Sequence, residues 1–234
     1  MNRANRKTIR ATSCLLVTGI ILSSACDKTN TTPSASAMTI QLDGTIGKWS
    51  GKKPAWDNGP APADQPPDKI HIGKVYFDND GSFLYAFVQC SPSVADRFKE
   101  TQFSGDIGGI FVDPDNNPDT GSAAEGHSTN PNDRGYKTKI YLALGAVGDK
   151  PMAGYQLFRF TGKYLEDNNG FNEEVPHSDQ NSFDQNALIA FGKDGVELAI
   201  PLDQLGLRAG ATARIMIEPS APDQGTGFTT YKCH

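Results

Sequence analysis

The feature that most constrains the fold of this chain is a series of short segments in which apolar and polar residues alternate. Between residues 136 and 144, Tyr136, Ile140 and Leu144 fall on one face, which is the period of a β-strand. Between residues 83 and 88 both faces are apolar, which predicts a central strand covered on both sides. Turn residues separate the segments, and no helical period lasts beyond a turn or two. The 234-residue chain is therefore predicted to be all-β, a two-sheet antiparallel β-sandwich of jelly-roll or immunoglobulin-like appearance without a second domain.

The first 26 residues have the pattern of an export signal. Four basic residues lie among the first ten, an apolar run extends from Leu15 to Leu22, and small residues precede Cys26. The run is short for a membrane span. The segment resembles a bacterial lipoprotein signal, which implies lipid attachment at Cys26; the alternative is a plain secretory signal. We predict a signal peptide at 1–25, a flexible tether at 26–37 and a β-sandwich domain at 38–234, lipid-anchored to a membrane of the bacterial cell envelope and facing the periplasm or the exterior.

Two cysteines remain outside this N-terminal segment, Cys90 and Cys233. An even pair in an oxidising compartment favours a disulfide. Such a bond would tie the C-terminal tail to the sheet. The alternative is two free thiols.

A carboxylate-rich turn follows the apolar residues Ile110 to Val112. Oxygen-bearing side chains alternate along it at Asp113, Asp115, Asn117 and Asp119. This spacing is typical of calcium ligands, and dense carboxylates repel one another unless water or a cation lies among them. The turn is not an EF-hand, because Pro118 and Ala124 stand where that loop needs glycine and glutamate. A calcium site and a solvated turn are both left open.

Charge and motifs exclude several classes of function. The formal net charge is -5, and no basic stripe appears after the first ten residues, so we expect no nucleic-acid partner. The chain has no Gly-x-Ser-x-Gly, no His-Glu-x-x-His and no phosphate-binding glycine loop. No pair of carboxylates is placed for glycoside hydrolysis. We therefore predict that the protein is not an enzyme.

Four segments, taken in order, resemble the family 9-like carbohydrate-binding modules. They are Ile40–Gly44 with Trp49, Phe83–Val88, Ile110–Gly121, and Gly195–Leu207. The same superfamily holds DOMON-type domains and the haem subunit of ethylbenzene dehydrogenase. The resemblance implies a β-sandwich whose function is sugar binding, haem binding or adhesion. It also implies that Trp49, in the opening motif, serves packing.

The leading functional hypothesis is a surface-anchored, non-catalytic module that binds a glycan or polysaccharide. Sugars need aromatic rings flanked by polar groups. The predicted ligand-binding residues are Trp56, Tyr141 and Tyr155. The alternatives are a haem-binding electron-transfer domain and a structural or interaction lipoprotein. Axial ligands for a haem would come from His71, Met152 or Met216.

Overall fold

A computed structural model describes the chain over residues 38–65, 69–94, 96, 105–123, 130–147, 150–162, 170–174, 180–181, 188–220 and 224–234. The described residues all belong to one compact unit. The predicted signal peptide, Cys26 and the tether lie outside the described residues. Within the described ranges, no helix is both long enough and apolar enough to cross a membrane.

The described chain is built from fourteen strands and short 3-10 turns, of which the one at Gly47–Trp49 matters below. The strands are β1 (Trp56–Asp57), β2 (His71–Asn79), β3 (Phe83–Ser91), β4 (Gly105–Asp113), β5 (Ser122–Ala123), β6 (Arg134–Tyr136), β7 (Thr138–Val147), β8 (Lys150–Phe160), β9 (Phe171–Glu174), β10 (Gln180–Asn181), β11 (Ile189–Phe191), β12 (Gly195–Pro201), β13 (Thr212–Pro219) and β14 (Gly227–Lys232). A five-stranded sheet has the order β1-β2-β3-β12-β11, and a seven-stranded sheet has the order β10-β8-β7-β4-β13-β14, with β9 paired to β8. A small third sheet joins β5 to β6. The predicted all-β, two-sheet antiparallel sandwich is confirmed.

The five-stranded sheet is apolar on both faces at its centre. Trp56 pairs with Val75 and lies against Gly227 of the other sheet, so the Val75 side of β2 faces the interior. The opposite side carries Tyr76 and Phe87, and the buried Trp49 ring packs on them at centroid distances of 6.1 and 6.0 Å. The central strand β3 is thus covered on both sides, as predicted. Trp49 serves packing, as the resemblance implied.

A buried carboxylate joins two segments that are far apart in sequence. Glu197 on β12 is fully buried, and its oxygens accept hydrogen bonds from the backbone N–H groups of Asp43 and Gly44 at 2.8 and 3.2 Å. The indole of Trp49 donates to the same carboxylate at 2.9 Å, and the Lys48 ammonium lies 3.1 Å away. A buried charge needs such partners. Glu197 therefore fastens the N-terminal segment to the outer side of the five-stranded sheet.

The prediction of a disulfide between Cys90 and Cys233 is wrong, because both residues are free, buried thiols. Cys90 on β3 pairs with Ile72, near the beginning of β2. Cys233 lies near the opposite end of β2, because the next residue, His234, donates its N–H to Asn79 Oδ1 at 3.1 Å. Seven residues of strand separate Ile72 from Asn79, which is roughly 20 Å at the rise of a β-strand. A disulfide needs Cα atoms within about 7 Å, so the pair cannot be bridged in this fold.

Candidate functional site

Strand alternation places a set of polar side chains on the outside of the five-stranded sheet. Lys74, Tyr76 and Asp78 alternate along β2 and share one face, which we call the outer face. Tyr76 lies opposite Phe87 on β3, so Gln89, two residues further along, is on the same face. Trp49 covers the middle of this face and leaves polar groups on either side.

A groove of about 550 Å³ opens on the outer face beside β1, and we call it the Gln89 groove. Its polar lining includes the ion pair of Lys74 and Asp57, with Nζ and Oδ2 3.3 Å apart. Hydrogen bonding from the Gly59 N–H, together with Lys74, lowers the pKa of Asp57, so this carboxylate is ionised at neutral pH. His71 is buried at the edge, with Nε2 3.1 Å from the Gly59 carbonyl oxygen.

The side chain of Gln89 is the uncommitted group of this groove. It is half-buried, and its amide forms no hydrogen bond with any described residue. A Cβ on Gly73 would stand 3.5 Å from Gln89 Oε1, which is ordinary van der Waals contact, so the amide lies next to this glycine. A primary amide offers two donors and one acceptor oxygen. Gln89 is therefore available to a ligand that carries both donors and acceptors.

The three predicted aromatic contacts do not form one site. Trp56 is next to Asp57 in sequence, but its half-buried ring faces inward, and a Cβ on Gly227 would lie 2.5 Å from it. Tyr155 is buried in the core, its hydroxyl lacks a hydrogen-bond partner among the described residues, and burial raises its pKa. Tyr155 lies opposite Leu142, so Tyr141 points to the other face of β7. The structure thus removes Tyr155 from the surface.

Tyr141 lies half-buried on the outer side of the seven-stranded sheet. It stands between Gly109 on β4 and Gln156 on β8, and the Lys139 ammonium is 5.5 Å from its ring centroid. A tyrosine ring has an apolar face and a polar hydroxyl, which are the features that led to its prediction as a sugar contact. Tyr141 therefore stays a predicted ligand residue, on a different sheet from the Gln89 groove.

The carboxylate-rich turn after β4 is held by basic side chains. Asp113 is fully buried, and its Oδ2 accepts a hydrogen bond from Arg214 Nε at 2.8 Å. Asp115 pairs with Lys137 and accepts a hydrogen bond from Thr120 Oγ1 at 3.0 Å. The three carboxylates of the turn therefore face three basic groups, because Asp119 Oδ1 lies 2.9 Å from an Arg134 nitrogen.

Arg214 is the centre of this cluster. Besides Asp113, its guanidinium donates to the carbonyl oxygens of Pro131, at 2.8 Å, and of Arg134. Gly135 has a positive φ of 94°, and a Cβ there would lie 2.6 Å from Pro118 Cα as well as 2.5 Å from an Arg214 nitrogen, so only glycine fits. Arg214 thus joins the turn to the segment 130–136.

Asp113 and Asp115 interact directly, and their pKa values move apart. Burial and the neighbouring Asp115 raise the pKa of Asp113, against the lowering effect of Arg214. Burial alone would raise the pKa of Asp115, but hydrogen bonds from Asp113, Lys137 and Thr120 together lower it to about 2. Asp113 Oδ1 is buried and receives no hydrogen bond from a described residue. Arg214 and Lys137 supply positive charge next to the two carboxyls.

Only two of the four predicted calcium ligands lie together. Asn117 Oδ1 accepts the N–H of Asp119 at 3.0 Å, and the Asp119 carboxylate turns to Arg134. Within the described residues, no group of three or more His, Cys, Asp or Glu side chains is placed to hold a metal. The turn therefore offers an ion two carboxylates, Asp113 and Asp115, whose charges Arg214 and Lys137 already balance. Calcium at this turn stays a prediction.

Comparison with known proteins does not indicate what the site binds. No protein-family model matches the chain, and no curated protein or solved structure matches it either. The resemblance to the family 9-like modules and to DOMON-type domains stays a prediction, which rests on the four sequence segments.

The predicted haem ligands are not brought together. His71 is on β2 of the five-stranded sheet, and its Nε2 faces the Gly59 carbonyl. Met216 is on β13 of the seven-stranded sheet, buried in a separate cluster with Phe111, Tyr136 and Phe171. Met152 is on β8, outside the side chains that the structure describes. One iron cannot take His71 and Met216 as its two axial ligands in this fold.

Sequence reasoning missed Gln89, Lys74 and Arg214. Gln89 ends an otherwise apolar run, from Phe83 to Val88, and a polar residue at that point was a usable signal. Arg214 is the one charged residue among the apolar positions of 213–217. No sequence signal connects it to Asp113, 101 residues earlier.

Proposed function

We propose that the protein is a non-catalytic module that binds carbohydrate in the Gln89 groove and is held to the cell envelope by lipid on Cys26. The observation that carries the binding proposal is the uncommitted Gln89 amide next to the Lys74–Asp57 ion pair in a groove of about 550 Å³. Grooves of roughly 300 to 1,000 Å³ are typical of small-ligand sites.

The chemistry of the groove favours a polyhydroxylated ligand. The Lys74 ammonium donates, the Asp57 carboxylate accepts, and the Gln89 amide does both. A hydroxyl group is itself a donor and an acceptor, so a row of hydroxyls can satisfy all three groups at once. The described lining contains no Phe, Tyr or Trp side chain, so we expect hydrogen bonds, with Pro60 and Ala61 as the apolar contacts.

Affinity gel electrophoresis tests the proposal on the chain carrying Cys26→Ser, which lacks the lipidation site. The probes are soluble xylan, mannan, β-glucan and dextran, each cast into a native gel. We expect at least one polysaccharide to retard the protein, and Gln89→Ala to weaken binding to it about two- to tenfold, the effect of one net hydrogen bond. The matched control is Thr230→Ala, an exposed change on β14.

Two results would contradict this assignment. Unretarded migration in all four polysaccharides would argue against carbohydrate binding by this chain. Retardation that Gln89→Ala leaves unchanged and Tyr141→Ala abolishes would move the site to the outer side of the seven-stranded sheet.

A further inference from the structure

The outer face carries a second groove on the other side of Trp49. It has a volume of about 430 Å³ and is lined by Thr39, Gln41, Lys52 and Asp78 among others. We call it the Gln41 groove. The Lys52 ammonium pairs with the Asp78 carboxylate and also lies 5.2 Å from the centroid of the Trp49 ring.

The two grooves share part of their chemistry. The first has one lysine–aspartate ion pair, Lys74 with Asp57, and the second has two, Lys52 with Asp78 and Lys48 with Asp43, the latter with Nζ and Oδ1 3.2 Å apart. Each also has one glutamine whose amide forms no hydrogen bond with a described residue, since the exposed Gln41 repeats the situation of Gln89. Because the two grooves offer similar donors and acceptors, they suit the same chemical unit of a ligand.

The spacing of the grooves is set by one strand. Lys74 and Asp78 lie four residues apart on the same face of β2, which is about 13 Å at the rise of a β-strand. Tyr76, between them, is buried under Trp49.

We infer that the ligand is a polymer of repeating polyhydroxylated units, and that one chain of it occupies both the Gln89 groove and the Gln41 groove. The inference rests on the proposed carbohydrate binding and adds the size of the ligand. Two similar sites on one face bind one polymer more tightly than either site alone, because the second contact is made within the same complex.

A ladder of oligosaccharides, from two to eight units of whichever polysaccharide retards the protein, tests this by isothermal titration calorimetry. In the Cys26→Ser chain, affinity should rise with length until the oligosaccharide spans both grooves, and then stay constant. Gln89→Ala should weaken binding at every length. Gln41→Ala should weaken only the oligosaccharides that reach the second groove, about two- to tenfold, and Thr230→Ala should change neither.

The outcomes separate this inference from the proposed function. Equal affinity at all lengths, with Gln41→Ala indistinguishable from the parent chain, would overturn the two-groove ligand while a single-groove sugar site stands. Two ligands bound per protein by the longest oligosaccharide would mean separate sites and would also overturn it. Failure of every polysaccharide to bind would overturn the proposed function itself.

Discussion

Removal of the Arg214 side chain should be the most destabilising single change in the carboxylate-rich turn. Arg214 is 17% exposed in its side chain and Asp113 is fully buried, so Arg214→Leu leaves an uncompensated charge in the interior. Breaking a buried ion pair by removing one partner costs about 3–5 kcal/mol. The carbonyl oxygens of Pro131 and Arg134 also lose a donor, a further cost of about 1–3 kcal/mol if either is left unsatisfied.

We expect Arg214→Leu to lower the free energy of unfolding by at least about 3–5 kcal/mol, the cost of the broken ion pair, and by more if the two carbonyl oxygens stay unsatisfied. Urea denaturation of the Cys26→Ser chain, followed by tryptophan fluorescence, measures this from the midpoint at constant slope. Arg208→Leu is the control, because Arg208 is exposed and should change stability by less than about 0.5 kcal/mol.

A double-mutant cycle separates the ion pair from the lost packing. In Asp113→Asn with Arg214→Leu the buried charge is gone, so the double change should cost less than the sum of the two single changes by about 1–3 kcal/mol. A loss below about 1 kcal/mol for Arg214→Leu alone would refute the role assigned to this pair. So would strict additivity in the cycle.

Three further predictions concern acid, calcium and lipid. Burial would raise the pKa of Asp80, but hydrogen bonds from Tyr85 and from the N–H groups of Ser82 and Phe83 lower it to about 2. The stability that ionised Asp80 contributes is therefore complete above about pH 4 and should be lost between pH 4 and 2. In denaturation curves measured over that range, Asp80→Asn should lose less stability with falling pH than the parent chain. If calcium binds only the folded form, calcium at 100 times its Kd should add about 2.7 kcal/mol to the free energy of unfolding and raise the Tm in calorimetry. Equal melting curves with calcium and with chelator would contradict a calcium site at Asp113 and Asp115. Membrane fractionation should find the wild-type protein in the membrane pellet and Cys26→Ser in the soluble fraction, whereas equal distribution of the two would argue against lipidation at Cys26.

The sequence predicts the class of fold well because its evidence is local. Alternation along 83–88 and 136–144 is a property of neighbouring residues, and it correctly indicates strands and a doubly covered β3. Alternation alone does not show that Tyr141 and Tyr155 lie on different faces of the sheet. That conclusion also needs the register between β7 and β8. Which face is the core depends on the opposite sheet, and that is why Tyr155 was wrongly expected at a surface.

The pairing of distant residues could not be predicted. Compartment and an even count favoured a disulfide between Cys90 and Cys233, but neither reports the distance between the two ends of β2. The basic partners of the carboxylate-rich turn come from β13 and from the segment 130–137, which no local pattern connects to Asp113. The calcium prediction considered only the oxygen atoms of the turn. It did not include Arg214, which pairs with Asp113.

The contact made by Glu197 also bears on the order in which the chain takes shape. The segment that holds Asp43, Gly44 and Trp49 is made early, yet the carboxylate that receives its hydrogen bonds comes about 150 residues later. Until β12 has been synthesised and paired, the indole of Trp49 and the two N–H groups lack that acceptor. The N-terminal segment therefore cannot complete its hydrogen bonds until β12 is in place, and a chain truncated before residue 195 should leave Trp49 accessible to water.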